Sequence, residues 1–471
     1  MFFTGRKQKV FAADLNSTGK IVEEIKFIKE PSIRKVLPVQ IVTMLISVTA
    51  MFIDSLFIAA FLKEDALAAY GLTTPVILFI TAFGGMIGNG VQVLASESAG
   101  AGDEKSLNRI FSTSMGIGLV GAIAFLVNTV CFSEPLSVVL GANNEQLISL
   151  TSEYLVGIAF SFPMIVIGLV IPTFMQLNGT RKRLVISAFM LIILDVVFDL
   201  LNVLVFHGGM LGMALASTFS YLISTVFLFA GFSSQKFPKS NSMFIGNYKF
   251  SPKFISVGLI GGLFKFGLLY LTYKLCQVFL NLAVNHMLAE LGGSEFIAAG
   301  SVIASVNLVI GSFPSGFGST TTMMSSYYYG MGDGVKLRDF IKRIIRLSVV
   351  VNCCIAALTF FFAPQISAVF DPGSDVVLQT AAMGLKIYSV SIIFNTINYI
   401  IKNSYQSVKK MGRAYVICIL NDFALPMAAA VVIASVLPIS WVWLCYTVGQ
   451  GIVVLISFLV VKSEKKEWRL A

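Results

Sequence analysis

Stretches of about 20 apolar residues recur twelve times along this chain, and that recurrence restricts its fold more than any single motif. A helix needs roughly 20 residues to cross a hydrocarbon core about 30 Å thick, and only a structure that satisfies its own backbone hydrogen bonds survives there. The runs fall near residues 38–62, 67–95, 110–132, 150–177, 184–206, 209–231, 266–289, 295–328, 340–363, 377–401, 414–436 and 439–461. With 56% hydrophobic and 12% charged residues and a mean hydropathy of +0.85, the chain could not cover a water-facing globular surface. The expectation is an all-α membrane protein with twelve transmembrane helices.

A net charge of +10 could point to nucleic acid, but the positions of the bases say otherwise. Of the 34 Lys and Arg residues, 31 lie at the termini or in one alternating set of connections; Lys63 alone lies in the other set, and Lys274 and Lys386 fall inside apolar runs. This is the positive-inside pattern, which places both termini in the cytoplasm of a plasma (inner) membrane protein. The basic excess meets anionic lipid headgroups, and no nucleic acid is expected as a partner. Residues 1–35, with Asp14, Glu23, Glu24 and Glu30 among the bases, lack the apolar core of a signal peptide.

A shift of 230 residues lays Gly100-Ala101-Gly102-Asp103 on Gly330-Met331-Gly332-Asp333, Ala68-Ala69 on Ala298-Ala299, Gly88 on Gly318 and Ser96 on Ser326. A shift of 233 then lays Gly179 on Gly412. The chain therefore reads as two pseudo-twofold-related bundles of six helices: a lead-in (1–35), a first lobe (36–231), a cytoplasmic linker (232–264), a second lobe (265–461) and a cytoplasmic tail (462–471). Six is even, so the lobes share one orientation about an axis along the membrane normal, with a cleft for a solute between them.

Ionisable residues inside a membrane are costly and mark function by default. The first half offers Asp54, Asp195 and Asp199; the second offers Lys274, Lys386 and Asp422. Asp195 and Asp199 are four apart and share a helix face. Asp54 lies 16 residues beyond Pro38 and Asp199 16 beyond Arg183, so both stand about 24 Å from the cytoplasmic side. Three carboxylates in one layer cannot all ionise, so the group exchanges a proton or recruits a hard cation such as Na⁺. In the second half, Lys274 lies nine residues beyond Lys265 and Asp422 nine beyond Arg413, and equal depth predicts an ion pair between them. The cleft is expected between runs 1, 2, 7 and 8, with Asn89, Gln92, Met175, Gln176, Lys274, Asn281, Asn395, Asn398 and Asp422 as lining candidates. The stretch Gly84–Gly90 resembles a phosphate loop in spelling only; inside an apolar run it serves close helix packing. His207 and His286 lie near span ends, and no metal site is expected beyond a possible Na⁺ at the three acids.

The chain also resembles the multidrug and toxic compound extrusion (MATE) transporters, from about Pro31 to Trp468. The resemblance rests on Phe52-Ile53-Asp54 with Phe57, Ala68-Ala69 with Pro75, Gly100-Ala101-Gly102-Asp103, Gly179-Thr180-Arg181, Asp199 and Gly212-Met213-Ala214. It implies two six-helix lobes around a central cavity and export of cationic or amphipathic compounds in exchange for H⁺ or Na⁺. It also implies that Asp54 and Asp199 belong to a cation site and that Ser217 supplies a hydroxyl. Asp195 stands where the family commonly has Asn, and Leu169 stands near the place of an Asn partner. The expected function is a cation-coupled antiporter for small organic compounds such as drugs, a monomer without cofactor and not an enzyme. The alternative is a flippase for lipid-linked saccharides.

Overall fold

The computed structural model describes residues 32–233, 248, 250–370 and 374–463. Most of the expected lead-in, the centre of the linker and nearly all of the tail lie outside the described residues. The described chain opens with 68 helical residues, Ile33–Gly100. At 1.5 Å per residue such a helix would be roughly 100 Å long, three times the hydrocarbon core, so it comprises two crossings. Asp65–Gly100 is long and apolar enough to be the second, and the helical stretch 33–64 ahead of it is left as the first. Glu104–Cys131, Arg181–Phe206 and Gly209–Ala230 follow as the third, fifth and sixth spans, and the fourth is the bent pair Glu145–Ala159 and Phe162–Leu177. The second lobe repeats the plan: Val257–Gly293, Glu295–Met331, Gly334–Phe361, the bent pair Asp375–Ser389 and Ser391–Ser407, Met411–Val436 and Leu444–Lys462. The seventh span thus begins at Val257, inside the expected linker. Ahead of it, the Ser251 and Ser256 amides donate to Ser112 and Thr113 of the third span and hold the entry to the second lobe.

The repeat is visible in local geometry. The fourth span bends by 43° at Phe160 and the tenth by 40° around Val390, 230 residues later. Asp103 accepts from the Ser106 amide at 3.0 Å and Asp333 from the Lys336 amide at 2.9 Å, each satisfying an orphan donor at the start of a helix. Gly102 and Gly332 precede them at φ +69° and +72°, where a side chain would be strained. One equivalence differs from the spelling of the sequence. The turn at Gly179, with its amide on the Gln176 carbonyl and the Thr180 amide on Met175, recurs as Lys409 on Gln406 and Lys410 on Tyr405. The counterpart of Gly179 is therefore Lys409, not Gly412, and a single shift of 230 serves throughout.

The lobes meet along the twofold axis. A Cβ on Gly100 would strike the Tyr327 carbonyl, and one on Gly330 would strike the Glu97 carbonyl. These two contacts exchange under the 230-residue shift, so the second and eighth spans cross symmetrically, backbone against backbone, as small residues permit inside a membrane. A shared core joins both halves here: Val36, Val91, Phe111 and Phe174 pack with Leu263, Phe317, Tyr327 and Ile400. Toward the opposite face the core divides. Ile58, Tyr70, Ile80, Phe162 and Met213 cluster within the first lobe alone, and Leu280, Ile303, Leu385 and Trp443 within the second. The lobes are closed together on the face where the described chain begins and ends, and part toward the other.

Candidate functional site

Lipid sorts the residues of the fifth span. Ile186, Phe189, Ile193 and Val197 are exposed on one side, while Asp195 and Asp199 are turned inward, 4% and 0% exposed. Asp54 of the first span comes within hydrogen-bonding reach of Asp195, and Asp199 is close enough that its charge acts on Asp54 and the Asp195 charge acts on it. The sixth span completes the group: Ser217 reaches both Asp54 and Asp195, and Ser220, one turn further on, reaches Asp195. Tyr70, Tyr154 and Tyr221 stand close enough to sense these charges. Buried carboxylate oxygens almost always have partners. Here Asp54 Oδ1, Asp195 Oδ1 and both oxygens of Asp199 are buried without a hydrogen-bond partner. Just beyond Asp199 the helix widens into a π turn, Asn202–Phe206. The Asn202 side chain closes the turn, accepting from the Gly208 amide and donating to the Gly209 carbonyl.

The structure thus brings Asp54, Asp195, Asp199 and Ser217 together in the first lobe. It also adds Ser220, which sequence reasoning missed although it stands three residues after Ser217, on the same face. Among the described residues no three His, Cys, Asp or Glu side chains converge tightly enough to hold a metal ion.

The second lobe carries the opposite charge. Asp422 lies in a π turn, Leu420–Ala424, of the eleventh span. The expected ion pair with Lys274 is corrected here: the partner of Asp422 is Lys402, at 3.5 Å, with the two side chains only 6% and 2% exposed. Depth along a helix had matched Lys274 to Asp422, but the rotation of the seventh span carries Lys274 over the rings of Tyr270 and Tyr273, at 5.8 and 5.2 Å. Lys402 lies against Tyr273 and Tyr399, at 4.7 and 4.0 Å. Asp422 also accepts from Asn421 at 2.9 Å, Tyr399 at 3.3 Å and the Cys418 thiol at 3.5 Å. Asn395 and Asn398 extend this network through Asn421, at 3.0 and 2.7 Å.

Lys402, which the charge pattern assigns to a connection between spans, is instead buried within the second lobe. The apolar run ends at 401, but the helix continues to Ser407 because the lobe satisfies its polar side chains. Asn395, Asn398, Lys402 and Gln406 follow at helical spacing, one inward stripe, half-buried at Asn395 and buried from Asn398 on, that the sequence displays once its first two members are known.

The remaining lining candidates lie elsewhere. Asn89 accepts from Gln406 at 2.6 Å and Gln92 donates to Ser319 at 2.9 Å, so both bridge the lobes in this closed arrangement. Met175 is part of the shared core, and Gln176 accepts from Gln40 of the first span at 3.0 Å. Asn281 is exposed and accepts from Tyr446 at 3.2 Å. Lys386 lies 5.8 Å from the ring of Phe360, apart from either cluster.

Two six-helix lobes, joined on one face and parted on the other, with ionisable groups buried in each, define a membrane transporter. The MatE family model matches residues 40–201 and again 272–432, once per half. The chain belongs to the MatE family of multidrug efflux transporters. It is 23% identical over 390 residues to the multidrug export protein MepA of Staphylococcus aureus, covering 82% of this chain and 83% of the relative. A MATE transporter crystallised in complex with MaL6 superposes with a TM-score of 0.86 at 17% identity, over 95% of this chain and 99% of the other. A multidrug resistance MATE family transporter in an outward-facing conformation superposes at 0.85 with 18% identity, over 94% and 98% of the two chains.

Proposed function

We propose that this chain is a proton-coupled antiporter that exports small amphipathic organic compounds by alternating access, with Asp54, Asp195 and Asp199 as the coupling site. The observation that carries this reading is the close approach of Asp54 and Asp195, with Asp199 near enough to act on them by its charge and four carboxylate oxygens buried and unpartnered. Two carboxylates within hydrogen-bonding reach repel unless a proton or a cation lies between them. Hydroxyls from Ser217 and Ser220 complete a site suited to one small cation, and carboxylates so buried and so short of donors favour H⁺, which each can bind singly, over Na⁺. With the termini in the cytoplasm, the face on which the lobes separate is the outer one. Protons entering there reach the three acids, and protonation removes the charge that separates the first and fifth spans. Rearrangement of that lobe then opens the crossing of the second and eighth spans to the cytoplasm. The curated relatives are named as multidrug exporters, which favours export of organic compounds over flipping of lipid-linked saccharides.

The test uses purified protein in proteoliposomes, with H⁺ and Na⁺ gradients imposed separately, and two probes, taurocholate and tetraphenylphosphonium. A pH gradient should drive at least one probe uphill, and Asp199→Asn should abolish that movement while the protein stays monodisperse. Drive by Na⁺ alone would replace the proton in this reading, and unchanged uphill transport by Asp199→Asn would refute the role of the site.

A further inference from the structure

The side of the seventh span that meets the first lobe is marked out by contacts. The Leu263 carbonyl lies against Gly90, Gly267 against the Met86 carbonyl, and the Tyr270 ring against Gly85. These positions advance by four and three residues, and the next step on the same stripe is Lys274. Tyr270 closes the joined half of the interface. One turn further, the core has divided between the lobes, so Lys274 stands at the floor of the space where they part.

Lys274 is also the midpoint of its span, 17 residues from Val257 and 19 from Gly293. That is roughly 25 Å from either end at 1.5 Å per residue, beyond the reach of a lysine seeking the membrane surface. Its ammonium has two tyrosine faces but no carboxylate at ion-pair distance among the described residues. The one acid of that lobe's cluster, Asp422, is already held by Lys402, Tyr399, Asn421 and Cys418. The cluster therefore carries two ammonium groups and one carboxylate; the Asp422 charge also reaches Lys274, so the surplus positive charge is shared, with Lys274 its half-buried member. An ammonium is a point charge with three donors and no acceptor, so a ligand that answers it brings an anionic oxygen. Beside it, the half-buried rings of Tyr270 and Tyr273 pack edge to face, with centroids 5.9 Å apart, and offer an aromatic flank to an apolar body.

We infer that Lys274 is an anion-binding subsite and that the compounds this transporter moves are amphipathic organic anions, carboxylates or sulfonates attached to an apolar body. This names the substrate class within the export reading above and rests on it. A cation in the same place would meet a cluster with two ammonium groups and one carboxylate, while the three carboxylates of the first lobe remain free for the coupling ion.

Radiolabelled taurocholate, an amphipathic sulfonate, and tetraphenylphosphonium, an amphipathic cation of comparable hydrophobicity, provide the test, with binding measured on the full chain in neutral-lipid nanodiscs. The wild-type protein should bind taurocholate in preference. Lys274→Gln should weaken taurocholate binding by about 10- to 100-fold, the worth of a charge-assisted hydrogen bond, and Lys274→Arg should restore most of it. Lys274→Glu should turn the preference toward tetraphenylphosphonium. If the wild type prefers tetraphenylphosphonium, or Lys274→Gln binds taurocholate as well as wild type, the anion subsite is overturned while export stands. Binding of neither probe counts against both. Should Lys274→Gln fail to fold, the wild-type preference and the Arg and Glu variants still decide.

Discussion

Removing Lys402 should destabilise the second lobe more than removing the acid it pairs with, and removing both should cost least. At 6% and 2% exposure the pair is shielded from solvent screening. Lys402→Met strands a carboxylate whose three remaining donors, Tyr399, Asn421 and Cys418, orient it without neutralising it. The loss should be about 3–5 kcal/mol, as for other buried pairs that lose one partner. Asp422→Asn strands the ammonium instead, yet Tyr273 and Tyr399 still present their faces at 4.7 and 4.0 Å. Such contacts are worth up to about 2 kcal/mol when desolvated, which brings this loss down to roughly 2–3 kcal/mol. The double variant buries no charge and should lie within about 1 kcal/mol of wild type, so the two substitutions are strongly coupled. A lobe of about 200 residues shifts its midpoint by roughly 2–4 °C per kcal/mol. Thermal unfolding of purified protein, at fixed detergent and pH, should therefore place Lys402→Met about 10 °C below wild type, with the double variant only a few degrees below. A double variant no more stable than the worse single would refute the pairing argument, and Asp422→Asn costing more than Lys402→Met would refute the role assigned to the rings.

Further outcomes follow from the closed face. Lys409 has φ +64°, where its repeat counterpart is a glycine, and its ammonium reaches Glu97 of the other lobe at 2.8 Å. Lys409→Gly relieves about 1 kcal/mol of backbone strain while losing a part-exposed ion pair worth at most about as much, so its thermal midpoint should stay near wild type. Lys409→Ala loses the pair and keeps the strain, and should unfold measurably earlier; equal midpoints for the two variants would argue against strain at this turn. Gly330→Val forces a side chain onto the Glu97 carbonyl and should hold the second and eighth spans apart. Cysteine labelling at Ser326 from the terminal face should then rise several-fold while probe transport falls, and unchanged labelling would show that the crossing is not the seal.

What the sequence determined by itself was whatever depends on position along one helix. Burying charge in hydrocarbon is so costly that Asp54, Asp195 and Asp199 stood out against their apolar runs, and a constant rise per residue placed them in one layer. The repeat was legible because two lobes under one orientation need the same breaks, caps and close approaches, such as Asp103 with Asp333 and Gly100 with Gly330. Family resemblance marked Ser217 as well. Only the tertiary structure decided what depends on rotation and on neighbours. Lys274 and Asp422 share a depth, but the azimuth of the seventh span sets Lys274 over the rings of Tyr270 and Tyr273, and the tenth span brings Lys402 to Asp422. The apolar run stops before Lys402 while its helix does not, because a buried network of Asn395, Asn398, Asn421 and Asp422 replaces the water that the end of a run ordinarily implies. Hydropathy records the company a residue keeps along the chain; the partner of a buried charge is set across it, by the packing of several helices at once.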